Sequence, residues 1–136
     1  MSKWYSRTVF FVRDAEASIV FYREKLGCTL SWNYQEQGRA VVCQMSRPGF
    51  EVILAAQDDT KAGRGRIFVS LDHEQEAALR QQIAQNGILA AEDYWGMPVI
   101  VIVDPDGNQL LFSPPTPKAT ARPEQARSTP SGTENA

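Results

Sequence analysis

Histidine is close to absent from this chain. His73 is the only one, and the two cysteines, Cys28 and Cys43, are isolated, without the short spacing of a metal-binding pair. A metal centre of imidazole or thiolate therefore has no donor set here. The thiols read as buried and reduced, which fits an intracellular protein. His73 falls at the start of a predicted helix and reads as a cap or surface residue. No apolar run approaches the roughly 20 residues of a membrane span, and Met1–Tyr5 lacks the apolar stretch of a secretory leader. An excess of positive charge is missing too: 14 Lys and Arg stand against 16 Asp and Glu, a net charge of −2. The segment after Ser113 carries Lys118, Arg122 and Arg127 against Glu124 and Glu134, which leaves the preceding body at −3. Nucleic-acid binding, which needs a basic patch, is disfavoured. Nucleophilic machinery is lacking as well, since His73 has no triad partner and no G-x-S-x-G elbow exists. Gly63-Arg64-Gly65 is too short for a phosphate loop and reads as a linker turn. The acid pairs Asp58-Asp59 and Asp104/Asp106 read as turn formers. No catalytic residue is assigned. A cytoplasmic protein free of membrane and nucleic acid is expected.

What is present is a duplication. Arg7-Thr8-Val9-Phe10-Phe11-Val12-Arg13-Asp14 reads as a strand over 5–12 running into an amphipathic helix that ends near Gly27. Asp14 is placed to cap that helix. Ala15, Ile19, Tyr22 and Leu26 form its apolar stripe, widened by Val20 and Phe21. Segments 28–34, 39–46 and 50–57 read as strands, with turns at Gln35–Gly38 and Arg47-Pro48-Gly49. Asp58–Gly65 reads as a linker. Arg66-Ile67-Phe68-Val69-Ser70-Leu71-Asp72 then repeats the opening, with a helix over 73–86 that turns Ala78, Leu79 and Ile83 inward. Segments 88–93, 97–103 and 108–113 read as the closing strands, and Asp104-Pro105-Asp106-Gly107-Asn108 is a strong hairpin signal. The prediction is one α+β domain over 1–113, built from two βαβββ modules (5–57 and 66–113) that form a cupped mixed sheet. Five of the eight prolines fall in 114–136, a segment that reads as a disordered tail.

Val12-Arg13-Asp14 with Phe21-Tyr22-Arg23-Glu24-Lys25-Leu26-Gly27 is similar to the opening "V-x-D … F-Y-x-x-x-L-G" of the vicinal oxygen chelate superfamily. Asp104–Asn108, followed by a short apolar strand, is similar to its second signature. Together they frame residues 5–113. The superfamily includes glyoxalase I, bleomycin-resistance proteins, fosfomycin-resistance enzymes and extradiol dioxygenases, so the resemblance implies a fold more firmly than a chemistry. Metal-using members hold a divalent ion with four His, Glu or Gln side chains, two from each half. The matching positions here are Arg7, Arg66, Leu111, and Ile53 or Leu54. Guanidinium has no free lone pair and the others have no donor atom, while Glu51, one or two residues away, is a single carboxylate. No metal and no cofactor are predicted, and the resemblance points to the metal-free, bleomycin-resistance-like branch.

Strand alternation puts Val9 and Phe11 on the face of Arg7, and Phe68 and Ser70 on that of Arg66. It groups Leu54 with Val52 and Ala56, and Leu111 with Gln109 and Ser113. The predicted ligand-binding set is Arg7, Val9, Phe11, Trp32, Leu54, Arg66, Phe68, Trp95 and Leu111, with Tyr34 and Tyr94 near the rim. The two arginines either face the ligand or pair with Glu51, Glu92 or Asp93. Bleomycin-type drugs are cationic, so these arginines argue for a neutral or anionic organic ligand instead. The expectation is a homodimeric, metal-independent protein that sequesters such a ligand, an antibiotic among the candidates. The alternative is a metal-dependent lyase or isomerase of the glyoxalase type with displaced ligands.

Overall fold

The structure, a computed structural model, describes residues 3–115. The segment read as a disordered tail lies outside the described residues from position 116 onward. The first module runs β1 (Thr8–Phe11), α1 (Ala15–Glu24), β2 (Thr29–Glu36), β3 (Arg39–Arg47) and β4 (Phe50–Ala55). A single 3-10 turn at Asp59–Lys61 leads to the second module: β5 (Arg66–Ser70), α2 (His73–Asn86), β6 (Ala90–Tyr94), β7 (Pro98–Val103) and β8 (Gln109–Ser113). The sheets have strand orders β1-β4-β3-β2 and β5-β8-β7-β6, with the outer pairs β1/β4 and β5/β8 parallel and the rest antiparallel. Identical order in both halves confirms the duplicated α+β architecture.

Local chemistry explains the boundaries. The Asp14 carboxylate accepts from the backbone N–H groups of Glu16 and Ala17, satisfying free donors of the first turn of α1. In α2 the cap is Asp72 rather than His73: it accepts from Gln75 N while the Gln75 side chain accepts from Asp72 N. His73 is the first helical residue and is exposed. The β2–β3 hairpin turns on Gln37 and Gly38, both with positive φ (53° and 77°), as a two-residue type I′ turn requires.

The core lies on one face of each sheet. Phe10, Val52, Leu54, Cys43 and Met45 of the first module pack with Ile19, Tyr22 and Leu26 of α1. Ile100, Ile102, Leu110, Phe112 and Leu79 continue the same cluster in the second module. Two expectations fail here. Val20 points to solvent at 50% exposure, and Ala78 is exposed, so of its three predicted core positions α2 buries Leu79 and half-buries Ile83.

A buried turn clasps the modules. Asp104 Oδ1 accepts from the N–H groups of Asp106, Gly107 and Asn108, and its Oδ2 accepts from Asn108 Nδ2 and Tyr22 Oη. Asn108 also donates to Phe11 O and accepts from Gly65 N, so one side chain ties β1, the linker and β8. Arg13 adds a backbone bond and an ion pair to Asp106.

Candidate ligand-binding site

The face of each sheet opposite the core is concave and partly bare. β1 and β5 meet along a seam in antiparallel sense: Gly63 N donates to Phe11 O, Gly65 lies against Phe10, and Arg7 and Thr8 share a cleft with Phe68, Val69 and Ser70. That cleft has a volume of about 300 Å³ and also contains Glu51. Counting along the seam from Phe10 and Gly65 puts Arg66 beside Val9 and Arg7 beside Phe68, two residues further on.

On the first sheet, cross-strand partners share a face, so Val9 lies beside Ile53 and Trp32 beside Gln44. Gln44 is the organiser. It is 5% exposed, and its Oε1 accepts from both Arg7 Nη1 (2.8 Å) and Trp32 Nε1 (3.0 Å). Its Nε2 donates to Ser46 Oγ, which contacts Ser31 Oγ at 2.7 Å. One buried amide thus fixes a cation and an indole. Arg7 also sits 5.0 Å from the Tyr5 ring centroid.

The second sheet brings together the same residue types with different contacts. Arg66 Nε donates to Gln109 Oε1 at 3.0 Å, and its guanidinium lies 5.6 Å from the Trp95 ring. Trp95 stacks on Phe68 at 5.8 Å. This works because the β6–β7 turn curls over the sheet, closed by a bond from Trp95 N to Met97 O, and Met97 Sδ meets Ser113 Oγ. Beneath it Leu111, opposite Phe68, is 3% exposed.

Eight of the nine predicted residues sit on the concave side or over it; Leu54 does not. The parallel β1/β4 register pairs Leu54 with Phe10, and both are fully buried in the core, while Ile53 takes the concave position. Of the two rim tyrosines, Tyr34 is on the concave face with Val42, whereas Tyr94 shares the helix-side parity of Glu92 and Ile100. Of the two alternatives for the arginines, the ion pairs do not form: among the described residues neither Arg7 nor Arg66 has a carboxylate within salt-bridge range. Glu92 lies 4.0 Å from Arg80, and Asp93 accepts from Tyr94 N. Gln44 was missed as a site residue although its signal was present, a polar side chain in phase with Val42 and Ser46 on a central strand.

The register puts Ile53, not Leu54, on the face of Arg7, so the metal-ligand positions that the resemblance implies would be Arg7, Ile53, Arg66 and Leu111. Two guanidiniums and two aliphatic side chains do not fit a divalent ion. Among the described residues no three His, Cys, Asp or Glu side chains cluster to hold one. The thiols add no reactivity, since burial pushes Cys28 and Cys43 up to about 11. No helix among the described residues is long and apolar enough to cross a membrane.

A family model described as the Glyoxalase/Bleomycin resistance protein/Dioxygenase superfamily matches residues 4–112. No curated protein matches the chain by sequence. Among solved structures, TnmS3, an antibiotic binding protein from Streptomyces sp. CB03234, is similar with a TM-score of 0.62 at 20% identity, covering 85% of this chain and 100% of its own. A bleomycin-binding protein from Streptomyces verticillus, complexed with copper(II)-bleomycin, is similar with a TM-score of 0.65 at 15% identity, over 85% of this chain and 100% of its own. A lactoylglutathione lyase from Agrobacterium tumefaciens gives 0.62 at 15% identity, over 83% and 94%. At these identities the likenesses show the fold alone.

Proposed function

The chain belongs to the Glyoxalase/Bleomycin resistance protein/Dioxygenase superfamily, and from that premise we propose that it binds a small organic molecule without transforming it. The observation that carries the reading is the pair of arginine–glutamine–tryptophan groups on the concave faces. A neutral amide orients a guanidinium without cancelling its charge. The free nitrogens of the fork remain available to a carboxylate, sulfonate or carbonyl oxygen. The Trp95 face beside Arg66 and the Tyr5 ring beside Arg7 supply stacking surfaces for a planar body, worth about 0.5–1.5 kcal/mol per aromatic pair beyond the area buried. The ligand is accordingly neutral or anionic and aromatic. The antibiotic-binding relatives support sequestration as its use, an antibiotic being one candidate ligand.

The working unit in this proposal is a cytoplasmic homodimer. Val9 (48% exposed), Trp32 (41%), Tyr34 (53%) and Phe68 (42%) leave apolar surface bare on both sheets of one chain. A self-complementary partner would cover it and turn two half-sites into grooves. Sedimentation equilibrium at micromolar concentration checks this, and a monomer would remove the dimer from the account.

The function itself is tested by metal content and binding together. After exposure to Zn, Ni, Mn and Fe, the protein is expected to retain under about one-tenth equivalent of any of them, because the residues at the ligand positions offer no lone pairs. Chelator-treated protein is expected to rise in melting temperature with aromatic anions. Near one equivalent of bound metal per chain would overturn the reading in favour of a lyase or isomerase.

A further inference from the structure

On the far side of the strands from the concave face lies a second cavity, of about 280 Å³. Its walls are Leu26, Phe50, Val69, Leu71, Leu79 and Phe112, apolar side chains drawn from both modules. The two cavities have Gly49, Phe50, Val69 and Ser70 in common, so the β3–β4 turn and β5 form the partition between them. None of the arginine–glutamine–tryptophan residues lines the outer cavity. At its edge stand Arg47, Ser70 and Gln75.

Arg47 supplies the chemical direction. Its Nη1 donates to Leu26 O (2.8 Å) and Gln82 Oε1 (3.1 Å), both uncharged acceptors. Among the described residues its other nitrogens make no hydrogen bond, and no carboxylate stands within salt-bridge range of it. A fixed, uncompensated cation at the mouth of an apolar cavity complements a molecule with an apolar body and one anionic end. The volume sits at the small end of the roughly 300–1,000 Å³ typical of ligand pockets, which suits a body on the order of a dozen non-hydrogen atoms.

We propose that this outer cavity is a binding site for a small amphipathic carboxylate, its apolar body between the modules and its carboxylate on Arg47. The occupant bridges Leu26 and Phe50 of one module to Leu71 and Leu79 of the other, so it stabilises their docking. The site is independent of the concave-face reading.

The test compares phenylacetate with phenylacetamide, its neutral counterpart, by NMR on the full chain. Phenylacetate is expected to shift the amides of Leu26, Leu71 and Phe112 saturably and to bind at least tenfold more tightly than the amide. Arg47→Gln, at an exposed position, is expected to abolish that preference. Arg66→Gln, outside this cavity, is expected to leave the preference read at the Leu26, Leu71 and Phe112 amides intact, which separates this site from the concave one. Equal affinity for acid and amide, equal weakening of both by Arg47→Gln, shifts confined to the Trp32 and Trp95 indoles, or no binding would each overturn the proposal.

Discussion

Single side chains carry more than their position in a pattern suggests. Tyr22 belongs to the apolar stripe of α1, yet its hydroxyl also donates to Asp104 Oδ2 at 3.0 Å in the buried clasp. Burial first, then the Asp104 charge, pushes its hydroxyl well above the ordinary value of 10.0. The folded state therefore favours the neutral phenol. The stability this contributes is complete below pH 10 and is lost as pH rises through the higher folded value. Tyr22→Phe is expected to cost about 1.5–3 kcal/mol at neutral pH, the worth of a hydrogen bond to a charged group. It is also expected to flatten the alkaline fall in denaturant midpoint; an unchanged alkaline limb would refute the role. Cys28 and Cys43, pushed up to about 11 and buried, are expected to resist thiol reagents at pH 8 until the chain unfolds. Stoichiometric labelling of native protein would show that the core opens. Reading residues alone exposed the two arginines but not their partners. Alternation says which face a side chain takes; it does not say that Arg7 and Arg66 choose Gln44 and Gln109 over nearby acids, which depends on rotamer and reach.

At the level of elements, turns decide more than helices. Asn108 is fully buried and holds Phe11 O, Gly65 N and Asp104 at once. Asn108→Ala leaves Gly65 N without its acceptor and removes one of several donors from Phe11 O and Asp104, and is expected to cost about 1–3 kcal/mol, seen as a lower midpoint in chemical denaturation. Gly63 makes the same junction from the other side. Its φ is +79° and a Cβ there would run into the Asp106 carbonyl oxygen, so Gly63→Ala is expected to destabilise by roughly 3 kcal/mol. The helices and hairpins were legible because their signals are local: Asp14 as a cap, Gly87 as a left-handed stop, and an Asp-Gly-Asn turn between apolar strands. The placement of Leu54 was not. A strand that follows a turn of loose register can shift by one residue, and one residue exchanges core for groove. Ile53 and Leu54 are distinguished by the pairing of β4 with β1, a long-range contact.

For the whole molecule, the duplication visible in Arg7–Asp14 and Arg66–Asp72 foretold two modules of the same β-α-β-β-β element order, but not the strand order within each sheet. The outer cavity left no trace in the sequence, because its walls come from positions 26, 47–50, 69–71, 75, 79 and 112, which only the docked modules bring together. The same docking presents two half-sites, each a cation, an amide and an indole, and the central claim is that they bind an aromatic, neutral or anionic molecule without metal. The chain's three tryptophans, Trp4, Trp32 and Trp95, make this directly readable. The decisive measurement is an NMR titration of chelator-treated protein with naphthalene-2-sulfonate, following the indole N–H signals. The Trp32 and Trp95 signals are expected to shift saturably, about tenfold more weakly in an Arg7→Gln/Arg66→Gln double variant, while Trp4 stays still. Stationary Trp32 and Trp95 signals, or shifts that appear only after a divalent metal is added, would contradict the account.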